Sequence, residues 1–328
     1  MPFELNDPAD AGFLRREAVR YAEQIGMDET DRGGIAIAAT EIATNVLKHA
    51  GRGKVILDPI AQNGTRGLRL VALDKGPGIR DISAALRDGH STAGTSGTGL
   101  GAIRRLSSAF EVYSYPEKGT CVWTEFWPNR KPPKRDGLDV GVVSLPIRTE
   151  AVCGDGWGVR NLPGWFLLMV VDGLGHGILA AEAAREAERV LTETNSKSPA
   201  VILQDTHDAL RKTRGAAVAV GAIDCDVGRL TFSGIGNISA VLLDPQNSRG
   251  LASHNGTAGH QMRKVQEFVF PWNHDSVLIM HSDGLAGRWN LSDYPGIWNK
   301  PASVIAAVLY RDYSRERDDV TVLVAKSF

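Results

Sequence analysis

The sequence predicts a mixed α+β chain in two layered domains, and three observations carry that prediction. Its 328 residues suffice for about two separate cores. One proline-rich basic segment, Pro128 to Gly137 (PNRKPPKRDG), interrupts the pattern and reads as a linker. On both sides of it, amphipathic helical stretches occur among strand-length apolar runs, an arrangement that buries both only when helices lie on sheets. The expected domains are residues 1–127 and 138–328, joined over 128–137.

Formal net charge is −1, so nothing in the overall balance calls for nucleic acid or an anionic membrane. The part before Asp136 carries a net +3 and the remainder −4, a mild asymmetry that suits an anionic ligand first and cations second. Cys121, Cys153 and Cys225 are widely spaced and include no CxxC, which argues against a disulfide framework and against zinc. No signal-like segment opens the chain, and the apolar runs fall far short of the ~18 residues of a membrane span. A soluble cytoplasmic protein is expected.

Asp7-Pro8 reads as an N-cap with proline at the first helical position, and Phe13, Leu14, Ala18, Tyr21, Ala22 and Ile25 continue at helical spacing to Gly26. A second helix begins near Thr30 or Asp31 and stops at Gly51. On it Glu41 and Asn45, four apart, share a face away from the apolar stripe of Ile35, Ile42 and Val46. Strands at Lys54–Ile60 and Gly67–Leu73 are joined through Gln62-Asn63-Gly64 as a hairpin, and the second runs into Asp74-Lys75-Gly76-Pro77-Gly78-Ile79. The small-residue stretch His90 to Gly101 then opens a helix near Ala102, where backbone amides are suited to cradling phosphates. Strands at Phe110–Tyr115 and Thr120–Trp127 complete this part.

In the second part, Leu167 to Gly177 (LLMVVDGLGHG) is the organising stretch. A buried strand delivers Asp172 at its end, and the glycines that follow leave room for something bulky and charged. Ser276 to Gly284 (SVLIMHSDG) repeats the design with Asp283, and Asp318-Asp319 stand immediately before the apolar run VTVLVA. Three strands that each present a carboxylate at an end point to one oxygen-rich metal site. Strands are also expected at Val140–Ile147, Ala216–Ile223, Arg229–Ser233, Ser239–Leu243 and Val265–Phe270. Helices are expected at Ile178–Thr194, Pro199–Lys212 and Ala302–Arg311. His254 and His260 read as members of a glycine-rich hairpin loop.

Glu41-xxx-Asn45, Asp74-x-Gly76-x-Gly78 and Gly97-Thr98-Gly99-Leu100-Gly101 resemble, in order and spacing, the N, G1 and G2 boxes of the Bergerat or GHKL ATPase fold of gyrase, Hsp90, histidine kinases and MutL. The resemblance covers roughly residues 10–127 and implies an α/β sandwich that binds ATP. Asn45 would ligate Mg²⁺, Glu41 would be the catalytic base and Asp74 would hold the adenine amine. Gly76, Gly78, Gly97, Thr98, Gly99, Leu100 and Gly101 would shape the lid and phosphate site. Only 40 residues precede Glu41, too few for a phosphoacceptor hairpin, and the short form is similar to the RsbT-type serine/threonine kinases.

Residues 138–327 resemble the PP2C-like phosphatases of the SpoIIE and RsbX type, through GDG, VVDGLGHG, HSDGL and DDVTVLV in family order. That resemblance implies an αββα sandwich that removes phosphate from serine or threonine. Asp155, Asp172, the carbonyl of Gly173, Asp283 and either Asp318 or Asp319 would hold two Mn²⁺ or Mg²⁺ ions. His176 lies three residues past Gly173, where eukaryotic members place a histidine directly after Asp-Gly, so loop packing accounts for it as readily as acid catalysis. The two resemblances together imply a bifunctional kinase and phosphatase acting on a STAS-domain partner, an anti-anti-sigma factor or stressosome scaffold. Homodimerisation is left open.

Overall fold

The computed structural model describes residues 2–87, 99–134 and 137–327, so Gly97 and Thr98 lie outside the described residues. The chain divides into two packed units, Met1–Lys134 with Asn290–Arg311, and Arg135–Trp289 with Asp312–Phe328.

The first unit begins with β1 (Pro2–Leu5), α1 (Pro8–Gln24) and α2 (Glu29–Ala50). Asp7 caps α1 by accepting from the Ala9 amide, and Asp10 completes a capping box behind Pro8. Asp28 caps α2 by accepting from the Asp31 amide, and Gly51 ends it at φ 73°. Next come β2 (Gly53–Gln62) and β3 (Thr65–Asp74), whose two-residue turn places Asn63 and Gly64 at φ 48° and 77°. α3 (Ile82–Ala85), α4 (Gly99–Leu106), β4 (Ala109–Ser114) and β5 (Thr120–Phe126) follow. The strands form one antiparallel sheet in the order β1-β2-β3-β5-β4. Leu14 and Ala18 of α1, Ile35 and Ile42 of α2, and Ile103 of α4 pack on Val55, Leu68, Leu70 and Val122 of that sheet. Cys121 and Trp123, which alternate to the other face of β5, are buried as well. Asn290–Arg311 packs with this unit: Lys300 pairs with Glu111 at 2.9 Å, Lys54 donates to the Tyr310 hydroxyl at 2.7 Å, and the Tyr113 and Tyr294 rings lie 6.5 Å apart.

The second unit runs through β6 (Leu138–Leu145), β7 (Asp155–Leu162), β8 (Trp165–Gly173), α5 (Ile178–Glu193), α6 (Pro199–Ala209), β9 (Ala216–Asp224) and β10 (Arg229–Ile235). It continues with β11 (Ser239–Leu243), β12 (Ser248–Leu251), β13 (Phe268–Pro271) and β14 (Val277–His281), and ends with β15 (Val320–Ser327); α7 (Ala302–Tyr313), between these last two strands in sequence, belongs as far as Arg311 to the first unit. Two antiparallel five-stranded sheets result, in the orders β13-β10-β9-β8-β7 and β12-β11-β14-β15-β6. β8 explains why LLMVV is apolar without a break. Leu168 and Val170 enter a core shared with Phe232, Leu278, Met280 and Leu323 of both sheets, while Leu167, Met169 and Val171 face Ala184, Leu191 and Leu203 of α5 and α6.

The mixed α+β sandwich organisation expected from the sequence is thus what the chain adopts, with local differences. β1 was not anticipated, because four residues at a sheet edge carry too little periodicity. Cys153 to Trp157 was read as a connection between strands, yet Asp155 opens β7, an edge strand whose Trp157 and Val159 are exposed and so leave a weak apolar signal. β13 starts at Phe268 and not Val265, since only Phe268–Pro271 pairs with β10. α4 starts at Gly99, three residues earlier than expected, its first turn disguised by two glycines. Among the described residues, no helix is long and apolar enough to cross a membrane.

Candidate functional site

In the first unit the sequence-marked polar residues gather around the carboxyl end of β3 and the exposed side of α2. Glu41 and Asn45 are both half-buried, one turn apart. The Asn45 Nδ2 atom is buried without a hydrogen-bond partner among the described residues, and a Cβ on Gly99 would lie 3.0 Å from Asn45 Oδ1. The start of α4 therefore meets the Asn45 side chain closely, and a buried amide unpaired among the described residues is a group prepared for a ligand. Asp74 ends β3, and its Oδ1 accepts the amides of Gly76 (2.8 Å) and Thr120 (3.2 Å). These bonds fix the carboxylate plane, and among the described residues Oδ2 is left to meet a donor. Burial pushes the Asp74 carboxyl up, against the pull of the two amides and of Arg311 and His49. The glycines are explained by contact: a Cβ on Gly78 would come within 2.2 Å of the Tyr115 carbonyl oxygen, and one on Gly119 within 2.0 Å of that of Asp74. Leu100 packs against the hydrophobic core and Gly101 is buried in α4.

Asp74→Asn should weaken ATP binding, because the amide replaces a charged acceptor of an exocyclic amine; a buried bond of that kind is worth about 1.5–3 kcal/mol. GTP, which presents a carbonyl at that position, should already bind the wild type poorly. Nucleotide titrations giving equal ATP and GTP affinity would remove this role from Asp74.

In the second unit the strands bring the acidic residues to one edge of both sheets. Asp155 and Asp172 are direct antiparallel partners of β7 and β8. β14 and β15 are neighbours, so Asp283 just past the first and Asp318-Asp319 just before the second stand side by side, with the Ser282 amide donating to the Thr321 carbonyl at 3.0 Å. The Asp155 Oδ2 accepts from the Ser282 hydroxyl at 2.6 Å, and that oxygen accepts the Thr321 amide at 2.9 Å, which ties the two sheets together. Asn237, in the turn after β10, donates to Asp283 Oδ2 at 2.9 Å.

The Asp318-Asp319 doublet divides clearly. Asp319 is 2% exposed, and its two oxygens accept the amides of Ile147 (2.8 Å) and Gly154 (2.9 Å). Asp318 is exposed, and among the described residues only its Oδ1 is engaged, by the Asp319 amide. Burial, then the charges of Asp283, Asp318 and Asp319, push the Asp172 carboxyl up to about 7, and burial with the Asp172 charge pushes Asp155 well up. Cys153, raised to about 12 by burial and by Asp155 and Asp319, stays a thiol and is no nucleophile.

Among the described residues, no three His, Cys, Asp or Glu side chains stand close enough to enclose one ion as arranged. The donor set nevertheless fits hard divalent cations: it is all oxygen, and burial with neighbouring negative charge raises the proton affinity of Asp155, Asp172 and Asp318, which bound cations would relieve. Because protons compete for the same carboxylates, metal affinity should fall as pH drops below about 7, by up to about tenfold per unit for each proton displaced. Mn²⁺ titrations between about pH 6 and about pH 8 would show this; an affinity independent of pH would mean that the carboxylates do not share an ion.

Asn237 and Ser282 were missed in the sequence. Ser282 was signalled by its place before Asp283, whereas Asn237 looks like an ordinary turn residue. His176 is 60% exposed and bonds through Nδ1 to Glu150 Oε1 at 2.7 Å. His260 bonds the Arg214 carbonyl at 2.9 Å and His254 stacks on Phe268; the segment that carries them joins β12 and β13, strands of different sheets, and is a crossover loop where a hairpin was expected.

Comparison with known proteins finds relatives of both parts of the chain. The histidine kinase-like ATPase domain matches residues 5–126, and stage II sporulation protein E (SpoIIE) matches residues 163–328. The serine/threonine-protein kinase RsbT of Bacillus subtilis (strain 168) is 36% identical over 118 residues, which cover 36% of this chain and 89% of RsbT. The phosphoserine phosphatase RsbX of the same organism is 23% identical over 188 residues, 56% of this chain and 92% of RsbX. Among solved structures, a chain from work on the bacterial stressosome as a modular system adapted to control secondary messenger signalling superposes with a TM-score of 0.55 at 28% identity, covering 58% of this chain and all of that one. RsbX in complex with magnesium superposes at 0.54 and 21% identity, over 60% of this chain and 99% of RsbX, which shows the shared fold. Through residues 163–328 the chain belongs to the SpoIIE family of PP2C-like phosphatase folds, and it carries ahead of that region a histidine kinase-like ATPase domain homologous to RsbT.

Proposed function

We propose that the chain is a bifunctional regulator that phosphorylates serine or threonine on a STAS-domain protein with ATP and removes phosphate from such a protein with divalent metal. The observation that carries this reading is the intact acidic edge, Asp155 opposite Asp172 and Asp283 beside Asp318, in a chain that also retains Glu41, Asn45 and Asp74. The STAS partner is inferred from the likeness to RsbT and to a stressosome chain. The domains we assign are 1–127 for the kinase and 138–328 for the phosphatase, in a cytoplasmic protein.

In the kinase, Asp74 would orient adenine, Asn45 would hold Mg²⁺, and Glu41 would take the proton of the attacking hydroxyl. Gly76, Gly78, Gly99 and Gly101 would let the backbone approach the nucleotide. In the phosphatase, Asp155, Asp172, the Gly173 carbonyl, Asp283 and Asp318 would hold two Mn²⁺ or Mg²⁺ ions. Such ions, when bound, acidify water and polarise phosphoryl oxygens. Asn237 and Ser282 orient Asp283 and Asp155, and Asp319 braces the loops that carry Ile147 and Gly154.

This division predicts different failures for the doublet. Asp318→Ala should lose metal-dependent phosphate release with little change in Tm. Asp319→Ala strands two amides and should lower stability by about 1–3 kcal/mol for each one left buried. Thermal melts alongside phosphate-release assays check it, and the reverse pattern would exchange the two roles. The function itself is tested by two assays on one preparation, Mg-ATP-dependent phosphorylation of a stressosome STAS protein and Mn²⁺-dependent release from the phosphorylated form; absence of either activity removes that half of the proposal.

A further inference from the structure

The acidic edge explains how cations are held but not how a phosphorylated protein, itself anionic, is received beside so many carboxylates. The loop after β8 supplies what is missing. Its Leu174 amide donates to the Gly215 carbonyl at 3.0 Å, which binds the metal loop to the segment ahead of β9. The guanidinium of Arg214 lies against that loop, its Nη1 3.0 Å from where a Cβ on Gly175 would stand, and Gly175 adopts φ +88°. A side chain at position 175 would press on the guanidinium where it lies against the loop after Asp172. Arg214 is exposed, its carbonyl is anchored by His260, and among the described residues its side chain enters no ion pair. An exposed arginine whose guanidinium lies against the loop that follows Asp172, and which enters no ion pair among the described residues, presents its fork to an incoming anion.

The same loop is apolar on its outer side. Leu174, Ile178 and Leu179 are 46, 65 and 47% exposed, a concentration of large exposed apolar side chains within six residues of chain. Apolar surface of this kind next to a reactive site marks a place where a partner lies down.

Resting on the phosphatase reading, we infer that Arg214 grips the phosphoryl oxygens of the substrate and that Leu174, Ile178 and Leu179 receive apolar residues flanking the phosphorylated serine or threonine. The occupant is a phosphorylated protein segment with apolar neighbours; charge complementarity at Arg214 sets its phosphate toward the acidic edge.

The test uses the full chain with Mn²⁺ and three probes: inorganic phosphate, a phosphoserine peptide flanked by leucines, and the same peptide flanked by serines. In the wild type the leucine-flanked peptide should show the lower KM. Arg214→Ala should weaken phosphate binding by calorimetry and raise KM for both peptides by about tenfold or more, with a smaller change in kcat, and Arg214→Lys should restore part of the loss. The double change Ile178→Ser with Leu179→Ser should erase the difference between the peptides. Equal phosphate affinity in wild type and Arg214→Ala, or equal KM for the two peptides in the wild type, overturns the inference. If no probe is hydrolysed, the phosphatase reading fails, while phosphate calorimetry still decides whether Arg214 holds the anion.

Discussion

Asp172→Asn is expected to abolish dephosphorylation and to leave nucleotide binding intact. Asp172 stands opposite Asp155 at the end of β8, and its carboxyl is raised to about 7 by burial and by Asp283, Asp318 and Asp319. An amide of the same shape keeps the packing but removes the negative charge that divalent cations require, so hydrolysis should fall by at least about a thousandfold. The substitution also relieves repulsion among the remaining carboxylates, and apo-protein stability should hold or rise. ATP affinity should not change, because the ATP-site residues Asn45 and Asp74 belong to the other packed unit. Phosphate-release assays beside nucleotide titrations check both halves, and equal loss of both activities would contradict the assignment of the two sites to separate units.

Glu41→Ala should leave ATP binding and partner docking in place and slow phosphotransfer by roughly 10²- to 10⁴-fold, the usual contribution of a positioned general base. Asn45 and Asp74 retain the nucleotide, and Glu41 acts only once the acceptor hydroxyl is present. A domain that merely sequesters its partner would not respond to this change. Single-turnover transfer at saturating ATP and partner separates the two readings: an unchanged rate would leave a nucleotide-dependent binding module in place of a kinase.

How far the sequence discloses the molecule depends on whether a feature is local. α1 and the end of α2 announce themselves because Asp7, Pro8 and Gly51 act within one turn of the helix ends they set, whereas α2 is capped by Asp28, ahead of the expected start near Thr30 or Asp31. β8 is visible because burial on both faces demands an unbroken apolar run. The acidic edge is visible because the same device, a carboxylate at a strand end, recurs in separate segments. What escapes is set by partners distant in sequence. Nothing near Asn290–Arg311 says that it packs with the first unit, since Lys300 and Tyr310 find Glu111 and Lys54 only in the fold. The same holds for Asp318 and Asp319, identical in type and adjacent. Their difference lies in the amides of Ile147 and Gly154, both supplied by a remote loop. Asn237 touches Asp283 across two strands, and no spacing rule links them.

The central claim is that one chain both places and removes phosphate on a STAS protein. The most direct measurement follows that protein by intact mass: incubation with the full chain and Mg-ATP, removal of nucleotide, then addition of Mn²⁺. The account predicts a gain of phosphate followed by its loss, with Glu41→Ala blocking only the gain and Asp172→Asn only the loss. A gain never reversed, no gain at all, or either variant blocking both steps would contradict it.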